Sequence, residues 1–196
     1  LDATRGVPQP VEYHPEGDVW QHTLLALRML RAASPELAWS VLLHDTGKPP
    51  TLEFDEKGTP RFPTHARRSG DETDRILRRL KSSTALRKVV HSAAVNHMTF
   101  RDVKEMRAAK LRRFMGRETF GLELELHRID CASSHRGTDN YVFLLDKLAA
   151  FAKAPVLPDP LIRGEDAMRA GVPRGPEIGQ VLREARERQL DGELRT

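Results

Sequence analysis

Residues 40 to 50 read SVLLHDTGKPP. Val41, Leu42 and Leu43 continue the apolar face of a helix that begins upstream, and His44 and Asp45 follow directly on it. Gly47, Lys48, Pro49 and Pro50 then stop the helix, since proline lacks the backbone N–H and clashes with the preceding turn. An apolar helix that ends on a histidine and a carboxylate brings two polar groups to the edge of a core.

Outward from this stretch, the pattern is helical almost throughout. Residues 1–18 carry three prolines and two glycines and read as an extended lead-in. A first helix is expected over 19–31. A second starts at Ser34-Pro35, an N-cap followed by proline at the first helical position, and runs to about residue 45. The piece TLEFDEKGTPRF, with Lys57-Gly58 at its turn, predicts a small hairpin or an ordered loop. Thr64 caps a third helix to about residue 80, and further helices are expected over 84–97, 103–115, 118–134 and 139–152. The proline-rich break APVLPDPLI sets off a last unit from Leu161 onward, dividing the chain into 1–153 and a small helical tail over 154–196. Long alternating strands are missing, so the class is all-α.

The 196 residues suffice for one good core and a small appendage. No apolar run approaches the ~18 residues needed to span a bilayer, so a soluble chain without a membrane partner is expected. No charged lead precedes an apolar stretch at the start, so no secretion signal is read. One cysteine, Cys131, excludes an internal disulfide framework and suits a reducing, cytoplasmic compartment. The net charge of +4 favours an anionic partner mildly. The chain opens on Leu1 and reads as a segment of something longer.

Five polar groups fall on apolar stripes. His22 shares its stripe with Leu25, Ala26 and Met29; His44 continues Leu37 and Val41; Asp45 continues Ala38 and Leu42; His97 continues Val90, Ala93 and Ala94; Asp130 follows Leu126. A buried, unpaired carboxylate costs several kcal/mol. Spacing leaves two readings open: histidines bonded to one another and to carbonyls at helix ends, or a shared divalent cation.

The order of these residues adds a resemblance. His22, then His44-Asp45, then Asp130 is similar to the HD superfamily of metal-dependent phosphohydrolases, and HDTGK matches that family's HD-x-G-K element. YHPEGDVWQHTLLAL, LAWSVLLHDTGKPPT, VNHM and LHRIDCASSHRGTDNY together resemble the HD region of bacterial tRNA nucleotidyltransferases and related poly(A) polymerase-like proteins, over about residues 6–195. The resemblance implies an all-α HD bundle and a metal held by His22, His44, Asp45 and Asp130. His65 and His97 match the two extra histidines of members that hold two ions, with Asp45 as the bridge. His91 rivals His97, but six residues on a helix turn the side chain by about 240°, so only one can face the site, and the VNHM motif and the apolar stripe select His97. His14 is read as an exposed lead-in residue. His127 and His135 flank Asp130 and are read either as supporting groups or as solvated ones.

Imidazole and carboxylate ligands suit divalent Mn, Ni, Co, Fe, Mg or Zn, and an ion so held acidifies water for attack on phosphorus. Asp45 and Lys48 are the catalytic candidates. Lys48 is placed either to meet phosphate charge or as a surface lysine at a helix C-terminus. Arg67, Arg68, Arg101 and Arg128 are further candidates for substrate binding. A nucleotidyltransferase head needs a glycine turn before a strand bearing Asp-x-Asp, which this sequence lacks, so it is not expected to add CCA or poly(A) by itself. The tail, spaced by Gly164, Gly171, Gly175 and Gly179, resembles the segment after the HD region in those tRNA enzymes and is read as a helical cap or a phosphate-binding turn. VKEMRAAKLRRFMG presents Lys104, Arg107, Lys110, Arg112 and Arg113 as an RNA-facing surface or a solvated basic face. Two functions follow: a phosphohydrolase or phosphodiesterase acting on nucleotides, most plausibly 2′,3′-cyclic nucleotides or RNA 3′ ends, or a non-catalytic tRNA-binding body with a structural metal.

Overall fold

A computed structural model describes residues 1–134, 137–151 and 155–194. It is all-α. Nine α-helices occur among the described residues: α1 (Val19–Arg28), α2 (Pro35–Leu43), α3 (His65–Arg79), α4 (Thr84–Asn96), α5 (Ala108–Met115), α6 (Phe120–Ala132), α7 (Asp139–Phe151), α8 (Gly164–Arg169) and α9 (Pro176–Asp191). Strands β1 (Glu53–Phe54) and β2 (Pro60–Arg61) form a two-stranded antiparallel hairpin, pairing Glu53 with Arg61 and Phe54 with Pro60. The Asp55 carboxylate accepts from Lys57 and Thr59 N–H and closes its turn, where Gly58 takes a φ of 74°.

Local sequence explains the starts of α1, α2 and α4, whereas Thr64, expected to cap α3, makes no side-chain cap and takes a φ of 60°. Asp18 caps α1 by accepting from Gln21 N–H at 2.8 Å, and its other oxygen takes Gly6 N–H, fastening the lead-in. Ser34 caps α2 and Ser83 caps α4 through the N–H groups of Leu37 and Leu86. The first helix stops three residues earlier than expected, and Ala32 turns the chain with a φ of 48°. The helix expected over 103–115 is split. A 3-10 segment, His97–Glu105, is kinked at Asp102, and α5 begins only at Ala108. Gly179, read as a spacer of the tail, lies inside α9.

Backbone contacts divide the chain into two compact units. The first comprises Leu1–Arg101 and Thr119–Val142, the second Asp102–Glu118 and Phe143–Thr196. In the first, α2 packs against α1, α4 and α6, and α3 packs along α4. Ala26, Val41, Ala93, Leu126 and Ile129 form one core cluster; Leu43, Leu77 and Val90 form a second under Trp39 and Ile76. Every helix that carries an inward histidine or aspartate also supplies this core, so their polar ends meet where the apolar stripes run out. The lead-in is not a loose extension. Val7 accepts from Val19 N–H, and Thr4, Gln9 and His14 are buried.

In the second unit, α9 packs on α5 and α8. Ala109 N–H donates to Asp191, and Arg113 forms a two-pronged pair with Glu187. The Arg112 guanidinium lies over the Phe151 ring and donates to the Val156 carbonyl. Arg107 stands within 3.9 Å of Glu187 and Asp191. Arg112 and Arg113, two of the five cations read as a basic face, are therefore engaged in holding their own unit together. Among the described residues, no helix is long and apolar enough to cross a membrane.

Candidate metal centre

Three helix ends, one helix start and one position inside a helix supply the site, all within the first unit. His22 projects from the middle of α1. His44 and Asp45 end α2, His65 opens α3, His97 ends α4 and Asp130 lies near the end of α6. All six are buried. Gly47 lets the α2 end and the α3 start approach. A Cβ there would lie 2.3 Å from the His65 carbonyl oxygen and 2.4 Å from Ser69 N, and Gly47 N–H donates to Ser69 Oγ at 2.8 Å.

Two groups of ligand atoms result. His22, His44 and Asp130 converge in one; Asp45, His65 and His97 converge in the other. In the first, His22 Nε2 lies 3.0 Å and His44 Nε2 3.9 Å from Asp130 Oδ1. In the second, His65 Nε2 and His97 Nε2 each lie 3.7 Å from Asp45 Oδ1. The other oxygen of Asp45, Oδ2, stands 3.3 Å from His44 Nε2. Asp45 thus turns one oxygen toward each group. His91 faces the other way, with its ring beside Gly70 of α3.

Hydrogen bonding fixes which ring nitrogen is offered. Nδ1 of His44, His65 and His97 lies 2.9, 2.8 and 2.7 Å from the carbonyls of Val41, Phe62 and Ala94. A carbonyl only accepts, so each Nδ1 carries the proton, and a neutral ring then turns an Nε2 lone pair to the centre. Nε2 of His65 and Nε2 of His97 meet at 3.2 Å, lone pair against lone pair. Buried His22 Nε2, His44 Nε2 and Asp45 Oδ1 find no well-formed hydrogen bond, although His22 Nε2 lies 3.0 Å from Asp130 Oδ1. Orphaned buried acceptors cost stability, and a divalent cation satisfies them together. The residues present fit such an ion, and the absence of converging thiolates argues against a closed structural zinc site.

Protonation agrees with this chemistry. Burial pushes His65 down, against the attraction of Asp45, and pushes His97 down to about 3, so both are neutral at ordinary pH. Burial alone would raise Asp45. The Lys48 ammonium and the His44 imidazole outweigh it and hold the carboxyl well below its usual range. Burial would likewise lower His22, but Asp130 and Glu16 outweigh it and push the ring up to about 9 when no ion competes for Nε2.

Lys48 is not a surface lysine. It is buried, its Nζ 2.7 Å from Asp45 Oδ2 and 2.6 Å from Gln9 Oε1. It lines a cavity of about 540 Å³ over the centre, with Tyr13, Phe62, Arg101, His127 and Asn140; His14, His65, His97 and Asp130 form other parts of the wall. Arg67 and Arg68 are exposed on α3, outside this lining. Arg128 pairs with Glu125 and borders a different hollow, near Arg28 and Arg31. His127 stacks on Phe100 and contacts Cys131; His135 lies outside the described residues.

The lead-in supplies what helical spacing missed. His14, read as exposed, is buried, and Glu16 Oε1 sits 2.7 Å from its Nδ1 and 2.8 Å from Nδ1 of His22. Gln9 and Glu16 precede the first long helix, so no periodicity points them inward; their only sequence signal is the run YHPEGD that carries Glu16.

The HD domain model matches residues 19–137. The chain is 34% identical to the Multifunctional CCA protein of Halorhodospira halophila, covering 97% of this chain and 46% of that protein. It is 34% identical to the A-adding tRNA nucleotidyltransferase of Deinococcus radiodurans, over 91% of this chain and 44% of that enzyme. It is 30% identical to the CC-adding tRNA nucleotidyltransferase of Thermus thermophilus, over 90% and 42% respectively. The chain thus spans less than half the length of these relatives. No solved structure matches it.

Proposed function

The chain belongs to the HD domain family, and on that premise we propose that it is a metal-dependent phosphohydrolase or phosphodiesterase acting on nucleotides, most plausibly 2′,3′-cyclic nucleotides or RNA 3′ ends. One observation carries the reading: two buried groups of nitrogen and oxygen donors lie side by side, with Asp45 of one group also turning Oδ2 to His44 of the other, beneath a cavity lined by cations and aromatic rings. In this reading His22, His44 and Asp130 would hold one divalent ion and His65 and His97 a second, with Asp45 available to both.

A bound divalent ion supplies Lewis acidity, which acidifies water and polarises a phosphoryl oxygen. The chain's own residues do the rest. Lys48 keeps Asp45 ionised and offers positive charge at the cavity floor. Arg101 adds charge at the wall, where a phosphate would lie. Tyr13 and Phe62 line the cavity, and aromatic rings are the side chains on which a base stacks. The carbonyls of Val41, Phe62 and Ala94 keep the imidazoles in the one tautomer that leaves Nε2 open.

The relatives' names support tRNA as the wider context of the substrate. The alternative, a non-catalytic tRNA-binding body with a structural metal, would draw on the basic stretch from Lys104 to Arg113. Its case is weakened because Arg112 and Arg113 are engaged within their own unit. The test is elemental analysis of the purified protein, then a phosphoester screen with Mn, Ni, Co or Mg added to the wild type and to His44→Ala and Asp45→Ala. Metal-dependent turnover that both substitutions abolish supports the reading. Tight, salt-sensitive tRNA binding with no turnover on any phosphoester reverses it in favour of the alternative.

A further inference from the structure

We propose that Glu16 is a positioning residue of the centre: its carboxylate aims His22 and makes that imidazole a stronger ligand than its three neighbours. This rests on the metal-dependent reading above. The observation behind it is an exception. Nδ1 of His44, His65 and His97 each meets the backbone carbonyl three residues earlier. His22 does not. Its corresponding carbonyl, that of Val19, accepts from Thr23 Oγ1 at 2.8 Å, while His22 Nδ1 meets Glu16 Oε1 at 2.8 Å.

The difference has a chemical consequence. A neutral carbonyl fixes a tautomer and a ring angle. A carboxylate does both and also feeds charge toward the ring, raising the donor strength of the far nitrogen. That nitrogen, His22 Nε2, points at Asp130 and belongs to the group that also contains His44.

Folding alone does not account for Glu16. Its carboxyl is mostly buried, and Oε2 is fully buried without a hydrogen-bond partner. A buried carboxylate with one idle oxygen is costly to keep. Its place is nonetheless built with care. It lies between Pro15 and Gly17, which turns the chain at a φ of 121°; Gly17 N–H donates to the His14 carbonyl, and Asp18 beyond it caps α1. His14 Nδ1, at 2.7 Å, bonds the same Oε1. A rigid turn that pins a carboxylate against the back of one imidazole serves that imidazole's front.

The test uses the full chain and zinc, a diamagnetic ion. Zinc affinity is measured by competition with a chelator for the wild type and for Glu16→Gln, Glu16→Ala and His14→Gln. Circular dichroism and melting of the chelated proteins check their folds. Imidazole nitrogen–proton NMR of the zinc-loaded wild type reads the His22 tautomer. The expected result is a His22 ring protonated at Nδ1, a loss of about 10–100-fold in zinc affinity in both Glu16 variants, and near wild-type affinity in His14→Gln. Three results would overturn the proposal while leaving metal binding itself intact: equal affinity in the Glu16 variants, an equal loss in His14→Gln, or a zinc-loaded wild type whose His22 Nδ1 carries no proton. A wild type that takes up no zinc, manganese, nickel or cobalt overturns this proposal and the metal-dependent reading together.

Discussion

Gly47→Ala sets two effects of opposite sign against each other. Replacing glycine by alanine restricts the unfolded chain and stabilises by about 0.4–1 kcal/mol where the native backbone suits alanine, and Gly47 does not need a positive φ. Against this, the new Cβ would sit 2.3 Å from the His65 carbonyl oxygen, 2.4 Å from Ser69 N and 2.9 Å from Arg68 C. These are backbone atoms of the first turn of α3, so no side chain can swing aside. The turn must move by about 1 Å to reach ordinary contact, and overpacking of this kind costs about 1–3 kcal/mol. The hydrogen bond from Gly47 N–H to Ser69 Oγ, 2.8 Å long, is stretched as well, for about 1 kcal/mol. The clash wins, with a net loss of about 2 kcal/mol, or a Tm lower by about 4–8 °C in a chain of this size. Ser69→Ala removes the hydrogen bond without the clash and should cost about half as much. Differential scanning fluorimetry of the chelated proteins separates the two terms, and zinc titration adds a second readout, since the displaced turn carries His65 away from Asp45. A Gly47→Ala protein that melts at or above the wild-type temperature would refute the reasoning.

Other outcomes follow from the same geometry. Saturation with a divalent ion at a hundredfold excess over Kd should stabilise the fold by about 2.7 kcal/mol. Asp45→Ala should lose more bound metal by elemental analysis than His65→Ala, because Asp45 turns an oxygen to each group. In steady-state assays Lys48→Ala should lower kcat more than it raises KM, since a cation at the cavity floor acts on charge that develops in the transition state. In the chelated protein, burial pulls the His22 ring down but Asp130 and Glu16 lift it from 6.5 to about 9. A raised folded-state value means its stabilisation is complete below about pH 6.5 and fades as pH rises through about 9. Melting temperature should fall over that window, and by less in His22→Asn; an identical fall in that variant would mean another group titrates.

The sequence by itself determined most of the helices, though not the split of the one expected over 103–115, and which way five polar groups turn. Hydrophobic periodicity, N-caps and prolines act within a few residues, so α2 with Ser34 and Pro35 at its start, and the inward set of His22, His44, Asp45, His97 and Asp130, were legible from spacing alone. Resemblance added His65, which stands at a helix start where no stripe points to it. Tertiary structure alone decided what these groups meet. Glu16 and Gln9 come from an irregular lead-in with no period to read, yet they reach His22 and Lys48. The same lead-in buries His14. The apolar stripe and the VNHM motif already selected His97 over His91; packing added only that the His91 ring lies beside Gly70 of α3. The basic stretch read equally as an RNA-facing or a solvated face; only packing brought Glu187 and Asp191, more than seventy residues on, against Arg113 and Ala109. Local rules fix the direction of a side chain; only the packed chain fixes its partner, because the partner's distance along the sequence carries no period.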